Sequence, residues 1–441
     1  MARMPVKRLY IEQLRTAMAK LFPERLWSSI EVHGNSQWTP ARLLAALVVM
    51  SWDEAPTLAA RFDKARDLLQ RWFPEWTVPT SYGGYVVALR RWLPEIVLRV
   101  RQQLQERARA SCGESWKTNR WVVFAVDGSR FECPRTAANE NILKCAGKER
   151  TAPQIFNTLL IHLPSNTLWD FRTGPGTDSE RRHLEDMLAG LPPDSLVTAD
   201  AGFIGYDLCQ RLCAAGVHFL LRVASNACLL TLSEQGLAEV DGSEVWLWPE
   251  KQAGRGTPPQ VLRLMKIGDG DQAVFLVTNM INPNDLNQTQ AASIYRKRWG
   301  IEVTYRTLKQ TFDRTTWLSR TPAAALAEHT ATLLAVWTLQ VLSIEALQKQ
   351  KHVPQRWSPA RSRDIIRRVM RRSLDPTWFA ETSFTDELGH AVQDQYIRLR
   401  AKRARHWPHK KNDPPPKPPR LKPLTPEQLQ KGRQLIQPRK S

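Results

Sequence analysis

The sequence predicts an α/β protein in which a helical region precedes a sheet with helices. Two observations carry this prediction. Over roughly the first 115 residues, apolar side chains recur at steps of three and four, the spacing of amphipathic helices. From Trp121 onwards, short runs of β-branched and aromatic residues, separated by turn-forming residues, replace that spacing. At 441 residues the chain is long enough for about three structural units.

Residues 1–115 are predicted to form a helical N-terminal domain. Apolar residues follow helical spacing through positions 43–48 and 58–69, and prolines 74, 79 and 94 are predicted to separate the helices. Arginines, lysines and tryptophans are interspersed throughout this region. That pattern fits either a DNA-binding helical domain or a solvated basic surface over a Trp-rich core, and charge patterning leaves both open.

Residues 116–223 are predicted to form the first part of an α/β core. The order strand, strand, strand, helix, strand, helix, strand is that of the ribonuclease-H-like fold, which has a mixed five-stranded sheet. A turn at Asp127-Gly128 is predicted to end the first strand, and Asp200 follows the fourth strand. A capping box, Thr177-x-x-Glu180, is predicted to begin the first core helix. The predicted elements span residues 121–126, 155–163, 167–173, 177–188, 196–199, 204–214 and 217–223.

The remaining chain is divided by changes in pattern and composition. Residues 224–284 alternate in polarity and are predicted to be a mostly β insertion. Residues 285–350 should complete the core, with one helix over about 285–312 and another over 323–347, and residues 351–400 should form a C-terminal helical region. Residues 401–441 contain 12 basic residues, two acids and nine prolines, which predicts a disordered basic tail.

The charge balance points to a polyanionic partner. Lys and Arg number 63 against 43 Asp and Glu, a net charge of +20, and nucleic acid is the obvious partner for such an excess. The longest uninterrupted apolar run, 43–50, is far shorter than the roughly 18 residues of a membrane span, so no membrane partner is expected. Without a signal-peptide pattern at the start, we expect a cytoplasmic protein, in the bacterial cytosol or nucleoid.

One segment of the late helix concentrates residues suited to phosphate chemistry. On a regular helix the five side chains of Tyr295, Arg298, Glu302, Arg306 and Lys309 share one face, and a separate apolar stripe faces the core. A single acid within a basic and aromatic row suits a metal-binding carboxylate beside phosphate contacts. A solvated face with ion pairs four residues apart would have the same pattern.

The spacing Tyr295-x2-Arg298-x3-Glu302-x6-Lys309 resembles the Y-R-E-K signature of DDE-type insertion-sequence transposases, specifically insertion-sequence family four. Two further segments also resemble that family, Val126-Asp-Gly-Ser129 and Leu196-Val-Thr-Ala-Asp200-Ala-Gly-Phe203. The resemblance covers roughly residues 120–345. One departure is Ala201, where many members of the family have arginine.

The resemblance implies that Asp127, Asp200 and Glu302 are the catalytic acids and metal ligands. Oxygen ligands of this kind suit Mg²⁺, with Mn²⁺ able to substitute. Two such ions can activate the attacking oxygen and stabilise the leaving oxygen in an in-line displacement. Taken singly, each aspartate could equally be an ordinary turn or helix-cap residue.

The resemblance further implies a DNA transposase that binds the terminal inverted repeats of its element, cleaves through a hairpin and joins the ends to target DNA. Its partners would be double-stranded element ends and target, handled by a homodimer in the synaptic complex. Tyr295, Arg298, Trp299, Arg306 and Lys309 would contact the DNA. A flipped base would stack on an aromatic residue of the insertion, for which Trp246, Trp248 and Phe275 are candidates, and core packing is the alternative and commoner role for any one of them. The alternatives are a metal-dependent nuclease of the same fold and an inactive or domesticated DNA-binding protein.

Overall fold

The computed structural model describes residues 6–147, 152–232, 242–270, 273–375, 382–393 and 417–436. Within these residues the chain forms two compact units. Unit 1 lies within residues 1–116, 128–179 and 302–394, and unit 2 within residues 117–127, 180–301 and 395–441. Each unit is therefore assembled from segments that are distant in sequence.

The protein is a mixed α/β structure with a helical N-terminal region. The described helices are α1 (Val6–Leu21), α2 (Pro40–Trp52), α3 (Leu58–Trp72), α4 (Tyr82–Cys112), α5 (Ala137–Leu143), α6 (Glu180–Glu185), α7 (Tyr206–Ala214), α8 (Glu250–Gly254), α9 (Gln288–Lys297), α10 (Gly300–Arg306), α11 (Pro322–Lys349), α12 (Pro359–Ser373), α13 (Phe384–Gly389) and α14 (Pro426–Ile436). The described strands are β1 (Val122–Glu132), β2 (Gln154–His162), β3 (Thr167–Pro175), β4 (Ser195–Ala199), β5 (His218–Val223), β6 (Cys228–Thr231), β7 (Glu244–Leu247), β8 (Gln260–Ile267), β9 (Val274–Thr278) and β10 (Arg420–Pro423).

The N-terminal helices of unit 1 begin at side-chain caps. Thr39, Thr57 and Ser81 each accept a hydrogen bond from the backbone three residues later, at the starts of α2, α3 and α4. The helix α2 is almost wholly buried and packs against α3, α4 and α11. The prediction that Pro94 separates two helices is wrong, because α4 continues through it. Proline lacks the N–H that would bond to the Arg90 carbonyl, and this 31-residue helix continues on both sides of it.

The central helix of unit 1 is α11. By length and composition it could cross a membrane, with a mean hydropathy of 1.5, but 94% of that stretch is buried inside the protein. It packs against α2, α4, α13 and β3. Its apolar character on all sides is what a helix surrounded by protein requires.

The sheet of unit 2 is larger than the sequence predicts. Its strand order is β10-β6-β7-β8-β9-β5-β4-β1, with β1, β4 and β5 parallel and the pairs from β5 to β6 antiparallel. The described part of the insertion contains strands β6 to β9, as the mostly β prediction requires, and β6 is the strand among them that the sequence pattern did not predict. The prediction of a five-stranded sheet is wrong, because β9 pairs with β5 and the insertion strands extend the core sheet. Ten strands of the described chain take part in the mixed sheet.

Strand β1 crosses the boundary between the units after Asp127. The prediction of a turn at Asp127-Gly128 is wrong, because β1 continues to Glu132. Its second half belongs to unit 1, where the strand order is β1-β2-β3. There β2 and β3 form the predicted antiparallel hairpin. Strand β1 extends beyond its apolar run, residues 121–126, because neighbouring strands are hydrogen-bonded along both of its halves.

The basic tail is also partly ordered. Of the predicted disordered residues 401–441, the structure describes 417–436, and disorder is the wrong prediction for β10 and α14 within them. Strand β10 pairs with β6 in parallel, and the Trp246 ring lies against Gly432 of α14. Composition missed this because the apolar partner is supplied by the insertion, some 180 residues earlier. The other tail residues lie outside the described part of the chain.

Candidate active site

The two predicted catalytic aspartates are placed by the register of parallel strands in unit 2. Strands β1 and β4 are neighbours, and their last paired residues are Ala125 and Thr198. Asp127 and Asp200 each follow two residues later, so they occupy equivalent positions just past the paired stretch of adjacent strands. Neighbouring strands lie about 4.8 Å apart. Both side chains are half-buried.

The loop that follows β4 is held by three hydrogen bonds. The Gly202 N–H donates to Asp200 Oδ1 at 2.8 Å, which fixes the carboxylate orientation. Arg181 Nε donates to the Gly202 carbonyl at 2.8 Å, and Asn226 Nδ2 donates to the Ala201 carbonyl at 2.8 Å. The backbone carbonyl of Ala201, the position at which the sequence departs from the family that it resembles, is thus anchored.

A third carboxylate lies beside this loop in unit 2. A Cβ atom on Gly202 would lie 2.5 Å from Glu180 Oε1 and 3.0 Å from Asp200 Oδ1. Both carboxylates therefore border the space that a larger side chain at this position would occupy. The predicted capping box is wrong, because α6 begins at Glu180 itself rather than at Thr177. Glu180 is therefore the first residue of the helix, and its side chain extends toward Gly202.

The signature segment is not one continuous helix, contrary to the prediction for residues 285–312. An Asn287–Gln290 capping box starts α9, which ends at Lys297. A tight turn follows, with Arg298 N bonded to the Tyr295 carbonyl and Ile301 N bonded to the Arg298 carbonyl. Then come α10 and a π-helical turn over Thr307–Thr311. Gly300 at the turn and the wider π turn both change the helical phase, so one helical wheel does not describe the five signature side chains.

The first half of the signature lies in unit 2, close to Asp200. The Arg298 guanidinium lies over the Tyr295 ring, 5.5 Å from its centroid. Burial raises the pKa of the Tyr295 hydroxyl and the Asp200 charge adds to that rise, whereas Arg298 and Arg222 act to lower it. Trp299, 58% exposed, is the most open aromatic side chain of this segment. Tyr295 is therefore the aromatic group near Asp200, with Arg298 and Arg222 beside it.

The second half of the signature lies in unit 1, where Glu302 is half-buried and Arg306 is exposed. Lys309 Nζ donates to Ser129 Oγ at 2.8 Å and lies 4.9 Å from the Phe131 ring centroid. Burial lowers the pKa of the Lys309 ammonium, and the charge of Glu132 partly opposes that change. This lysine is thus joined directly to β1 two residues beyond Asp127.

Two of the aromatic candidates for base stacking are buried in the core. Trp246 and Trp248 are 1% and 4% exposed, and their indole N–H groups donate to Glu244 and to the Thr257 carbonyl. As described, neither ring face is open to a base, so the stacking prediction is wrong for these two. Phe275 is half-buried. Their alternation along the strands signalled packing in the sheet rather than exposure.

The site contains residues that sequence reasoning did not select. Arg222 and Ser129 were not singled out, and Glu180 was assigned to a cap. Arg222 carried a usable signal, because it is a charged residue within the otherwise apolar run of β5. Glu180 also carried a signal, because it resembles an acid that recurs in the middle region of the family, but the capping-box interpretation was preferred. Ser129 lies within a segment that resembles the family, and its contact with Lys309 across 180 residues was not predictable from local pattern.

The donor set suits a hard divalent cation. Among the described residues no three His, Cys, Asp or Glu side chains are grouped to hold a metal ion. Mg²⁺, however, is commonly bound through one or two carboxylates, with waters and substrate phosphates completing its shell. The carboxylates of Asp127 and Asp200, just past the paired stretch of β1 and β4, and the space beside Gly202 that a Cβ would fill, fit such an ion.

Comparison with known proteins identifies the same region. A family model described as "Transposase DDE domain" matches residues 120–338. The transposase InsG for insertion sequence element IS4 of Escherichia coli (strain K12) is 23% identical over 300 residues, which cover 65% of this chain and 66% of that protein, just under two thirds. A cryo-EM structure of a piggyBac transposase synaptic complex with hairpin DNA has a TM-score of 0.43 at 12% identity, covering 90% of this chain and 88% of that chain.

Proposed function

Because residues 120–338 carry a DDE transposase domain, as their resemblance to insertion-sequence transposases predicts, we propose that the chain is a DNA transposase of the insertion-sequence type. It binds the terminal inverted repeats of its element and carries out metal-dependent phosphoryl transfer. The reaction comprises cleavage at the element ends, through a hairpin, and strand transfer to target DNA. The site of action is the bacterial cytosol or nucleoid.

The observation that carries this proposal is the pairing of two aspartates at equivalent positions on adjacent parallel strands within that domain. We assign catalysis to Asp127, Asp200 and Glu302. Members of this family work with a divalent metal ion, for which we propose Mg²⁺, with Mn²⁺ as a substitute. When bound, the ion would neutralise charge on the phosphate and activate the attacking oxygen.

The residues of the chain do the positioning. Asp127 and Asp200 hold their carboxylates at fixed register, and the Gly202 N–H keeps the Asp200 carboxylate turned toward the loop. In our proposal the Glu302 carboxylate completes the acidic triad. No side chain needs to move a proton, because carboxylates of such a site act as ligands.

The basic and aromatic residues of the signature segment are assigned to DNA. Arginine binds a phosphate in a bidentate manner and lysine acts as a point charge, so Arg298, Arg306 and Lys309 suit the backbone near the cleaved bond. Tyr295, against which Arg298 lies, and the exposed Trp299 supply aromatic surface in the first half of the segment. Since two element ends must be cleaved and joined together, we propose a homodimer in the synaptic complex.

The test is a cleavage and strand-transfer assay on DNA carrying the element ends that flank the coding sequence. Wild type and Asp200→Ala are compared with Mg²⁺ and with Mn²⁺. We expect joined products from wild type alone and equal end binding by both proteins. Cleavage without joining would indicate a nuclease, and binding without cleavage in either metal would indicate a DNA-binding protein.

A further inference from the structure

The carboxylates of Glu180 and Asp200 approach one another beside Gly202, a position with no room for a larger side chain. The two carboxylate oxygens lie 2.5 and 3.0 Å from the position of a Cβ on Gly202. Glycine here is not required by backbone conformation, because Gly202 does not have a positive φ. Its role is spatial: a side chain would displace one or both carboxylates.

The surroundings hold Asp200 and its loop in place. Asp200 accepts from the Gly202 N–H, and the neighbouring Arg181 fixes the same loop through the Gly202 carbonyl. Arg181 also lies against Gly205, where a Cβ would be 2.9 Å from its Nη1. Helix α6 therefore contacts the loop after β4 at Gly202 and Gly205, and Glu180 lies at this contact.

The two carboxylates converge on one point, so their oxygens could serve the same cation. A divalent cation such as Mg²⁺ prefers oxygen ligands. The location decides which cation is relevant, because Asp200 is already a proposed ligand of the catalytic metal.

We infer that Glu180 is a further carboxylate of the catalytic metal site, contributing an oxygen to the ion held by Asp200, either directly or through a metal-bound water. This inference rests on the proposed function. It adds a residue from α6 to a site otherwise assigned to Asp127, Asp200 and Glu302. Gly202 is then a specific requirement of the site, because it leaves room for the two carboxylates to converge.

The first test measures metal binding rather than activity. The affinity of the full-length protein for Mn²⁺ is measured from the electron paramagnetic resonance signal of the unbound ion, without DNA and with element-end DNA. We expect Glu180→Gln to weaken Mn²⁺ binding about tenfold to hundredfold, the range for losing a carboxylate that ligates or supports a metal. Asp186→Asn, which neutralises an exposed acid just after the same helix, should leave the affinity unchanged.

Further measurements separate a metal role from a structural or DNA-binding role. Glu180→Gln should keep the melting temperature of wild type in EDTA and its binding to element ends, while needing more Mg²⁺ for half-maximal cleavage. Equal Mn²⁺ affinity in wild type and Glu180→Gln would overturn the inference. Loss of end binding with unchanged Mn²⁺ affinity would also overturn it, by assigning Glu180 to DNA.

A second experiment uses the wild-type protein alone, so it does not depend on the variant folding. Fe²⁺ substituted at the site, with ascorbate and peroxide, cleaves the nearby backbone through hydroxyl radicals. We expect fragments ending near residues 180 and 200. Scission near 200 without scission near 180 would contradict the inference. The result is separable from the proposed function, since metal-dependent scission at both places could occur even if no strand transfer were found.

Discussion

The two compact units position their charged groups in different ways. In unit 2 the aspartates are fixed by main-chain pairing, because the register of β1 against β4 alone brings Asp127 level with Asp200. In unit 1 the charged groups are fixed by burial among helices. The comparison shows that strand register positions the aspartates of unit 2, whereas hydrogen bonds to backbone carbonyls position buried arginines of unit 1.

The end of α2 illustrates the second arrangement. Three buried arginines from different parts of unit 1 donate to the carbonyls at and just beyond this helix terminus. Arg314 donates to the Ser51 carbonyl at 3.0 Å, Arg367 to the Trp52 carbonyl at 2.9 Å and Arg61 to the Ala55 carbonyl at 2.7 Å. Cations are favourable at a helix C-terminus. Burial nevertheless lowers the pKa of the Arg314 guanidinium to about 10.

The largest expected effect compares one acid from each unit. Asp127→Asn in unit 2 and Glu302→Gln in unit 1 should each reduce cleavage by about 10³-fold or more, because each removes a group needed to stabilise charge in the reaction. The double variant should be no worse than either single variant, since residues that act as one unit lose activity together. Cleavage rates and end binding are measured side by side.

Asp194→Asn is the matched control for this comparison. Asp194 precedes β4 at the opposite end of the strand and has a φ of 60°, a conformation that asparagine tolerates well. It should cleave at the wild-type rate. Near-normal cleavage by Glu302→Gln, beside inactive Asp127→Asn, would show that only unit 2 contributes a catalytic acid.

The next effect tests whether the sheet of unit 2 depends on its C-terminal addition. Removing residues 417–441 uncovers Trp246 and the β6 edge, and should lower the free energy of unfolding by about 2–5 kcal/mol, the scale of losing a large buried apolar contact. Gly432→Ala, whose Cβ would overlap the Trp246 ring, should destabilise by about 1–3 kcal/mol. Both are measured by urea denaturation.

Gly254→Ala serves as the control for Gly432→Ala, because no atom lies within 4 Å of a Cβ there. A truncated protein as stable as wild type would show that β10 and α14 do not hold the sheet. The role for the tail would then be the DNA contact that its charge suggests, and the salt dependence of end binding would become shallower on deletion.

The same contrast explains how much of the fold and of the candidate site could be predicted from the sequence. Strands and helices with strong local patterns were predicted to within a few residues, as in β4, β5 and α11. Asp127 and Asp200 could be assigned together because the segments around them resemble the same family. By contrast, the extent of β1, the ordering of the tail and the position of Glu180 depend on partners far along the chain. A local sequence pattern does not identify such distant partners.

The signature segment shows a second limit. A wheel of 100° per residue assumes one regular helix, and two features of the segment violate that assumption: Gly300 at a tight turn and a π turn that contains Lys309. Propensity reveals the glycine but not which hydrogen bonds form around it. The residue types of the site were therefore predictable from spacing, and their geometry was not.

A smaller effect should distinguish the units by pH. Burial lowers the pKa of His162 to about 4 and of His329 to about 3, both in unit 1. Below about pH 6.5 these histidines bind protons in the unfolded chain but stay neutral in the folded protein. Their contribution to the free energy of unfolding is therefore complete above pH 6.5 and is lost as the pH falls toward the folded pKa values. The slope is about 1.4 kcal/mol per pH unit for each histidine.

The measurement is urea denaturation at pH 7, 6 and 5, with fluorescence following the tryptophans. His329→Phe keeps an aromatic ring beside Phe131 and Trp317 and should remove one histidine's share of the slope. An unchanged slope in this variant would mean that His329 is protonated in the folded state. Stability that stays level from pH 7 to 5 would contradict the buried, neutral state of both histidines.

The smallest expected effect concerns the link between Lys309 and β1 in unit 1. Ser129→Ala removes the oxygen that accepts from the Lys309 ammonium, a group whose pKa burial already lowers. Unfolding free energy should fall by about 1 kcal/mol, the usual net value of one hydrogen bond, and cleavage should persist. Ser129→Thr keeps the hydroxyl and should retain wild-type stability. If Ser129→Ala instead abolished cleavage without affecting stability, the serine would belong to the reaction itself, and unit 1 would place chemistry on a strand just as unit 2 does.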